Sequence, residues 1–82
     1  MKIAVIGTGY VGLTVGTCLA ESGNDVICVD KEDEKIQSIK NLELPIYEPG
    51  LEELVERNIK KDRLEFTTDL DWAVGESLLI YI

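Results

Sequence analysis

Three glycines near the amino terminus have the spacing of a phosphate-binding loop. They follow the apolar run at residues 3–6 and precede a segment of helical periodicity, so they lie at a strand-to-helix junction. At such a junction Gly7 permits a tight turn, Gly9 lets the backbone approach a pyrophosphate, and Gly12 lets the helix pack closely on the sheet. Unpaired N–H groups at the helix start then face the phosphates. The spacing predicts a dinucleotide-binding loop, and the alternative is a tight turn with a packing glycine.

An acidic residue after the second apolar run completes this pattern. Asp30 directly follows the run at residues 26–29, close to the separation from the glycines that is expected of a ribose-binding carboxylate. The carboxylate can accept hydrogen bonds from ribose hydroxyls and would repel a 2′-phosphate, so NAD is favoured over NADP. Lys31 is a neighbouring cation that can soften this repulsion, and FAD proteins share the glycine pattern. Asp30 can also cap the helix that follows it.

Strands and helices that could position these residues alternate along the chain. The predicted strands are at residues 3–6, 26–29, 64–67 and 78–82, and the predicted helices are at 10–22, from 32, from 49 and at 70–74. This alternation predicts an α/β fold with a Rossmann-type parallel sheet, helices on both faces and the strand order 3-2-1-4. The third strand alternates in polarity, which is typical of a sheet edge.

Local features refine these elements. The predicted apolar stripe of the first helix consists of Val11, Val15, Cys18 and Leu19. Gly16 is interpreted as a helix–strand packing position with no ligand role. Gly23 and Asn24 end this helix, Pro49 begins the third, Asp69 caps the fourth and Gly75 ends it.

The composition argues against several classes of protein. The net charge of −8 disfavours non-specific nucleic-acid binding. Without histidine or a C-x-x-C motif, no metal site is expected. No apolar run is long enough to span a membrane. Cys18 and Cys28 both lie in apolar segments, which predicts two buried, reduced thiols in a cytoplasmic protein.

Longer motifs carry a resemblance to a known family. The stretches "GTGYVGL", "PIYEPGLEEL" and "RLEFTTDL" together resemble the amino-terminal part of the UDP-glucose/GDP-mannose dehydrogenase family, and the likeness extends over essentially the whole chain. The resemblance implies an enzyme that oxidises the 6-hydroxymethyl group of a nucleotide sugar to a carboxylate, using two NAD and a cysteine that holds the substrate covalently.

The same resemblance assigns cofactor contacts to this chain. It implies that NAD contacts the glycine loop, that the acid after the second strand binds the ribose, and that Lys35 approaches the adenosine end. The alternative for Lys35 is a surface lysine paired with an acidic neighbour. The candidate cofactor-binding residues are Gly7, Thr8, Gly9, Tyr10, Val11, Gly12, Asp30, Lys31 and Lys35.

The resemblance also limits what residues 1–82 are expected to do. They correspond to the first part of an NAD-binding domain, a truncated Rossmann fold. The family's catalytic cysteine, its lysine and aspartate helpers, the dimerising helix and the sugar-nucleotide domain have no counterpart here. Neither Cys18 nor Cys28 matches the nucleophile, so no catalytic residue is assigned and the piece alone is expected to be inactive.

Several substrates and partners stay open. UDP-glucose is favoured, with GDP-mannose and UDP-N-acetyl sugars as alternatives within the family. The parent protein is expected to be a homodimer or a higher homo-oligomer. A stand-alone NAD-binding module without catalysis is the alternative from another class.

Overall fold

A computed structural model describes residues 1–7, 10–44, 49–77 and 79–81 of the chain. Its elements in chain order are β1 (Lys2–Ile6), α1 (Tyr10–Glu21), β2 (Asp25–Val29), α2 (Asp33–Lys40), α3 (Leu51–Lys60), β3 (Leu64–Thr67), α4 (Leu70–Glu76) and β4 (Leu79–Tyr81). The predicted ends of the fourth strand, Leu78 and Ile82, lie outside the described residues.

The four strands form one parallel sheet in the order β3-β2-β1-β4. This is the 3-2-1-4 arrangement that the sequence predicts. The chain leaves β1 towards β2 on one side and returns beside β1 as β4, so the order reverses at β1. In open α/β sheets, ligands bind beyond the carboxyl ends of the strands at such a reversal.

Apolar side chains cover both faces of the sheet, because successive residues of a strand point to opposite sides. The larger core joins alternate residues of β1, β2 and β3 to α1, α2 and α3, and includes Val5, Val26 and Phe66. The smaller cluster joins Ala4, Ile27 and Val29 to Ala73 of α4. Helices therefore lie on both faces, as predicted.

The buried face of α1 differs from the predicted stripe. Val11 is 61% exposed and Cys18 is also exposed, whereas Leu13, Thr17 and Ala20 are fully buried. The reason is the pair of glycines at positions 12 and 16, whose missing side chains let α1 approach the backbone after β1 and the side chains of β2. This close contact turns the Leu13 side of the helix inwards, and the hydroxyl of Thr17 donates to the Leu13 carbonyl 2.8 Å away.

Two of the predicted helix ends are confirmed and two differ from the prediction. Gly23 has φ of +103° and donates to Ala20, while Asn24 donates to Leu19, so α1 ends as predicted in a Schellman motif. The Asp69 side chain accepts a hydrogen bond from the backbone N–H of Trp72, which confirms the predicted cap. The two differences are that α3 begins at Leu51 after Gly50, rather than at Pro49, and that Gly75 lies within α4.

A polar cluster ties α1 to α3 at the amino edge of the sheet. Glu21 accepts hydrogen bonds from Arg57 at 2.8 Å and from the fully buried Asn58 at 3.1 Å. The Asn58 hydrogen bond and the charges of Arg57 and Arg63 lower the pKa of the Glu21 carboxyl. This cluster fixes α3 beneath α1 at the edge opposite the nucleotide-binding end of a Rossmann sheet.

Within the described ranges, no helix is both long and apolar enough to cross a bilayer. Among the same residues, no group of three histidine, cysteine or acidic side chains could hold a metal ion.

Candidate functional site

The carboxyl ends of β1, β2 and β3 meet at one edge and bring distant residues together. The N–H of Gly7 donates to the Val29 carbonyl at 2.6 Å, and the N–H of Asp30 donates to the Thr67 carbonyl at 3.1 Å. These bonds extend the sheet beyond the strand ends. They place the start of the glycine loop beside the acid that ends β2.

At two positions of the predicted loop, the structure shows why the residue is glycine. Gly7 has φ of +93°, a left-handed conformation that favours glycine. A Cβ on Gly12 would overlap the carbonyl oxygen of Gly7. The turn out of β1 and the first turn of α1 therefore need glycine at both positions, as the spacing predicts. Helix α1 begins at Tyr10, and the unpaired N–H groups of a helix's first turn suit an anion.

Both carboxylate oxygens of Asp30 have donors beside them. Its Oδ1 accepts the Glu32 backbone N–H at 2.9 Å, and its Oδ2 lies 3.3 Å from Nζ of Lys35. Only 10% of the Asp30 side chain is exposed, against 33% of Lys35. The N-cap of α2 is Glu32, so Asp30 forms a turn before the helix instead of capping it. A carboxylate has about four lone-pair sites, and the ordered orientation of this one suits an acceptor of ribose hydroxyls.

A cleft of about 320 Å³ opens at this edge. Its apolar walls include Ile6, Val29 and Leu70, and Asp30 and Lys31 carry charge at its rim. Among the described residues, Gly7 and Thr68 also line it. The volume and the mostly apolar lining are typical of a small-ligand site.

Four of the described residues that line the cleft were not predicted as site residues. They carried no separate signal, because strand ends, a loop threonine and a helix leucine have many roles; they are Ile6, Val29, Thr68 and Leu70. Leu70 is 47% exposed at the start of α4. The sequence pattern does not contain this exposure. The sheet order brings the β3–α4 connection beside β2, and only that order places these residues at the cleft.

Some of the remaining predicted site residues lie outside the part of the chain that the structure describes. Thr8 and Gly9 lie outside the described residues, and for Tyr10 only the backbone, at the start of α1, is described. Val11 is exposed near that helix start. The structure thus brings together Gly7, Asp30 and Lys31, with Lys35 bound to Asp30 behind them.

The two thiols differ, contrary to the prediction that both are buried. Cys18 is exposed on α1, whereas Cys28 is fully buried in β2. Burial raises the pKa of the Cys28 thiol to about 12. A thiol that stays protonated in an apolar core is a poor nucleophile.

This difference gives a testable pH dependence. Because the folded pKa of Cys28 lies above its ordinary value of 9.0, the stability it confers is complete below pH 9 and is lost as the pH rises towards 12. Between pH 8 and 10, we expect the wild type to lose about 1 kcal/mol more unfolding free energy than Cys28→Ala in urea titrations. An equal loss in both proteins would contradict the assignment. With a thiol reagent at pH 8, Cys18 should react in the native protein and Cys28 only after unfolding.

The chain matches a known domain along its entire length. Residues 1–82 fit the profile of the UDP-glucose/GDP-mannose dehydrogenase family, NAD binding domain. The chain belongs to this family.

Curated relatives and a solved structure agree with the profile. The chain is 59% identical to the UDP-glucose 6-dehydrogenase TuaD of Bacillus subtilis over 99% of its length, and 51% identical to the UDP-glucose 6-dehydrogenase of Rhizobium meliloti over all of it. It superposes on a ternary complex of GDP-mannose dehydrogenase from Pseudomonas aeruginosa with a TM-score of 0.91 and 41% identity, over 98% of this chain and 18% of that one. The chain spans only 18–19% of the two curated relatives.

The described residues of this family member fit the adenosine half of NAD. Gly7 and Gly12 bring no side chain of their own to the junction after β1. The nearly buried Asp30 carboxylate offers acceptors at a cleft with apolar walls. These are the features that a dinucleotide's phosphates, ribose and adenine require.

Proposed function

We propose that this chain is the first part of the NAD-binding domain of a UDP-glucose 6-dehydrogenase. The observation that carries the proposal is the identity of 59% and 51% to two UDP-glucose 6-dehydrogenases, against 45% and 43% to two GDP-mannose 6-dehydrogenases. In this proposal the rest of the NAD domain and the sugar-nucleotide domain follow residue 82. The whole protein acts as a homo-oligomer.

Each candidate residue has a distinct role in binding. The Asp30 carboxylate accepts the hydroxyls of the adenosine ribose, and Lys35 holds that carboxylate in place. The backbone of residues 7–12 and the start of α1 receive the pyrophosphate. Ile6 and Leu70 form apolar walls for the adenine, which suits their exposure at the cleft.

The proposed reaction converts a primary alcohol to a carboxylate, a four-electron oxidation. NAD supplies the hydride acceptor, so two molecules are reduced and one water is consumed for each sugar oxidised. Residues of this chain orient the cofactor and bind its phosphates, and we assign the sugar contacts to the rest of the protein. Catalytic groups are assigned to the part of the protein beyond this chain.

The experiment is a stoichiometric assay of the protein in its full natural length. NADH formation is followed by absorbance with UDP-glucose, GDP-mannose or a UDP-N-acetyl sugar as the only substrate. We expect UDP-glucose to give the largest kcat/KM and two NADH per molecule consumed. A larger kcat/KM with GDP-mannose would overturn the sugar assignment while leaving the family unaffected.

Calorimetry with NAD separates this function from a binding module without catalysis. NAD binding with no turnover of any of the three sugars would favour the binding module. Absence of NAD binding would reject the cofactor site itself.

A further inference from the structure

We propose that Lys31 is the residue that recognises a 2′-phosphate at this site, so that Asp30 alone excludes NADP. The inference rests on the proposed NAD site. It concerns the cofactor specificity of the protein and assigns different tasks to its two neighbouring lysines.

The proposal rests on the charged residues that line the cleft. Among the described residues that line it, only Asp30 and Lys31 are charged, and they are adjacent in sequence. The acids that follow, Glu32, Asp33 and Glu34, are exposed and are not part of the lining. A phosphate on the ribose 2′-oxygen beside Asp30 would therefore meet one repelling carboxylate and one attracting ammonium group.

The two lysines differ in their partners. Lys35 lies 3.3 Å from Asp30, outside the cleft lining, so its charge already compensates the carboxylate. Lys31 is exposed and, within the described part of the chain, has no carboxylate within ion-pair distance. An ammonium group without such a partner can move towards a phosphate without breaking an existing ion pair.

This arrangement predicts opposite consequences for the two lysines. Removing Lys31 takes away the attraction for a 2′-phosphate and leaves the ribose acceptor in place. Removing Lys35 takes away the partner of Oδ2 that helps to orient the Asp30 carboxylate, which weakens the ribose contact that NAD uses. Lys35→Gln is therefore the matched control for Lys31→Gln, because both changes remove one positive charge within a few residues.

The test measures Kd for NAD and for NADP by calorimetry in the natural-length protein. We expect Lys31→Gln to raise the Kd of NADP about three- to tenfold more than that of NAD, the range expected of one partly exposed charge contact. The selectivity change should shrink at about 0.5 M salt, since screening weakens exposed charge pairs. Lys35→Gln should raise the Kd of NAD instead. Circular dichroism verifies that both variants fold.

A second background keeps the test decisive if the wild type binds NADP too weakly to measure. Asp30→Asn removes the repulsion and keeps the Oδ1 acceptor for the Glu32 N–H. In that background NADP should bind measurably, and adding Lys31→Gln should weaken it by at least the same factor. The role of Lys31 would be overturned if Lys31→Gln left the ratio of the Kd of NADP to the Kd of NAD unchanged. It would also be overturned if Asp30→Asn did not bind NADP. Failure of the wild type to bind NAD would instead reject the proposed function.

Discussion

Gly12→Ala is expected to lower the free energy of unfolding by about 3 kcal/mol or more. The added Cβ would overlap the Gly7 carbonyl oxygen and lie 3.1 Å from its carbon. Because the obstacle is backbone held in the turn after β1, no side-chain rotation can relieve the overlap. Either α1 moves away from the sheet or the turn at Gly7 deforms. Urea unfolding followed by circular dichroism measures the loss.

The control for this change is another helical glycine. A Cβ on Gly75 in α4 would meet nothing within 4 Å, so Gly75→Ala should stabilise the protein by about 0.5–1 kcal/mol through helix propensity. Gly16→Ala is a graded comparison, because its Cβ would lie 2.7 Å from the Cys28 Sγ, a side-chain atom. A Gly12→Ala protein within 1 kcal/mol of the wild type would contradict the close approach of α1 to the turn.

Asp30→Ala is expected to raise the Kd of NAD about ten- to a hundredfold, because hydrogen bonds to a charged group contribute about 1.5–3 kcal/mol. The Kd of NADP should change less, since the lost carboxylate also repelled its 2′-phosphate. The difference in affinity between NAD and NADP therefore becomes smaller. Calorimetric titration of the natural-length protein with both cofactors measures the two constants.

Asp30→Asn tests the negative charge of this residue separately from the hydrogen bond that it accepts from Glu32. It keeps an oxygen that can accept the Glu32 N–H and removes the negative charge beside Lys35. We expect its free energy of unfolding to stay closer to that of the wild type than does that of Asp30→Ala. Its affinity for NADP relative to its affinity for NAD should rise further than in Asp30→Ala. Unchanged affinity for both cofactors in the two variants would reject Asp30 as the ribose acceptor, and a shared loss of stability would indicate a structural role only.

Sequence spacing determined the elements of the site that depend on local chain geometry. A tight left-handed turn at Gly7 and a side-chain-free position at Gly12 are requirements of the backbone, so glycine spacing predicted both. Continuous apolar runs predicted β1 and β2, because parallel strands are buried on both faces. Asp30 was located by its position at the end of β2. The strand order followed from the dinucleotide-binding topology that the glycine loop and the alternation of strands and helices indicated.

The tertiary structure decided which surfaces of these elements meet. Apolar residues lie all round α1, so periodicity alone indicated the Val11 and Cys18 side, whereas the approach of two glycines to the sheet buried Leu13 instead. Cys18 and Cys28 lie in similar apolar sequences but differ in exposure for the same reason.

The two lysines after β2 show the same limit. Sequence placed Lys31 and Lys35 near one acid, but only the fold paired Lys35 with Asp30 and left Lys31 at the cleft. Burial, ion pairing and cleft lining depend on contacts between segments distant in sequence, and local residue patterns do not contain those distances.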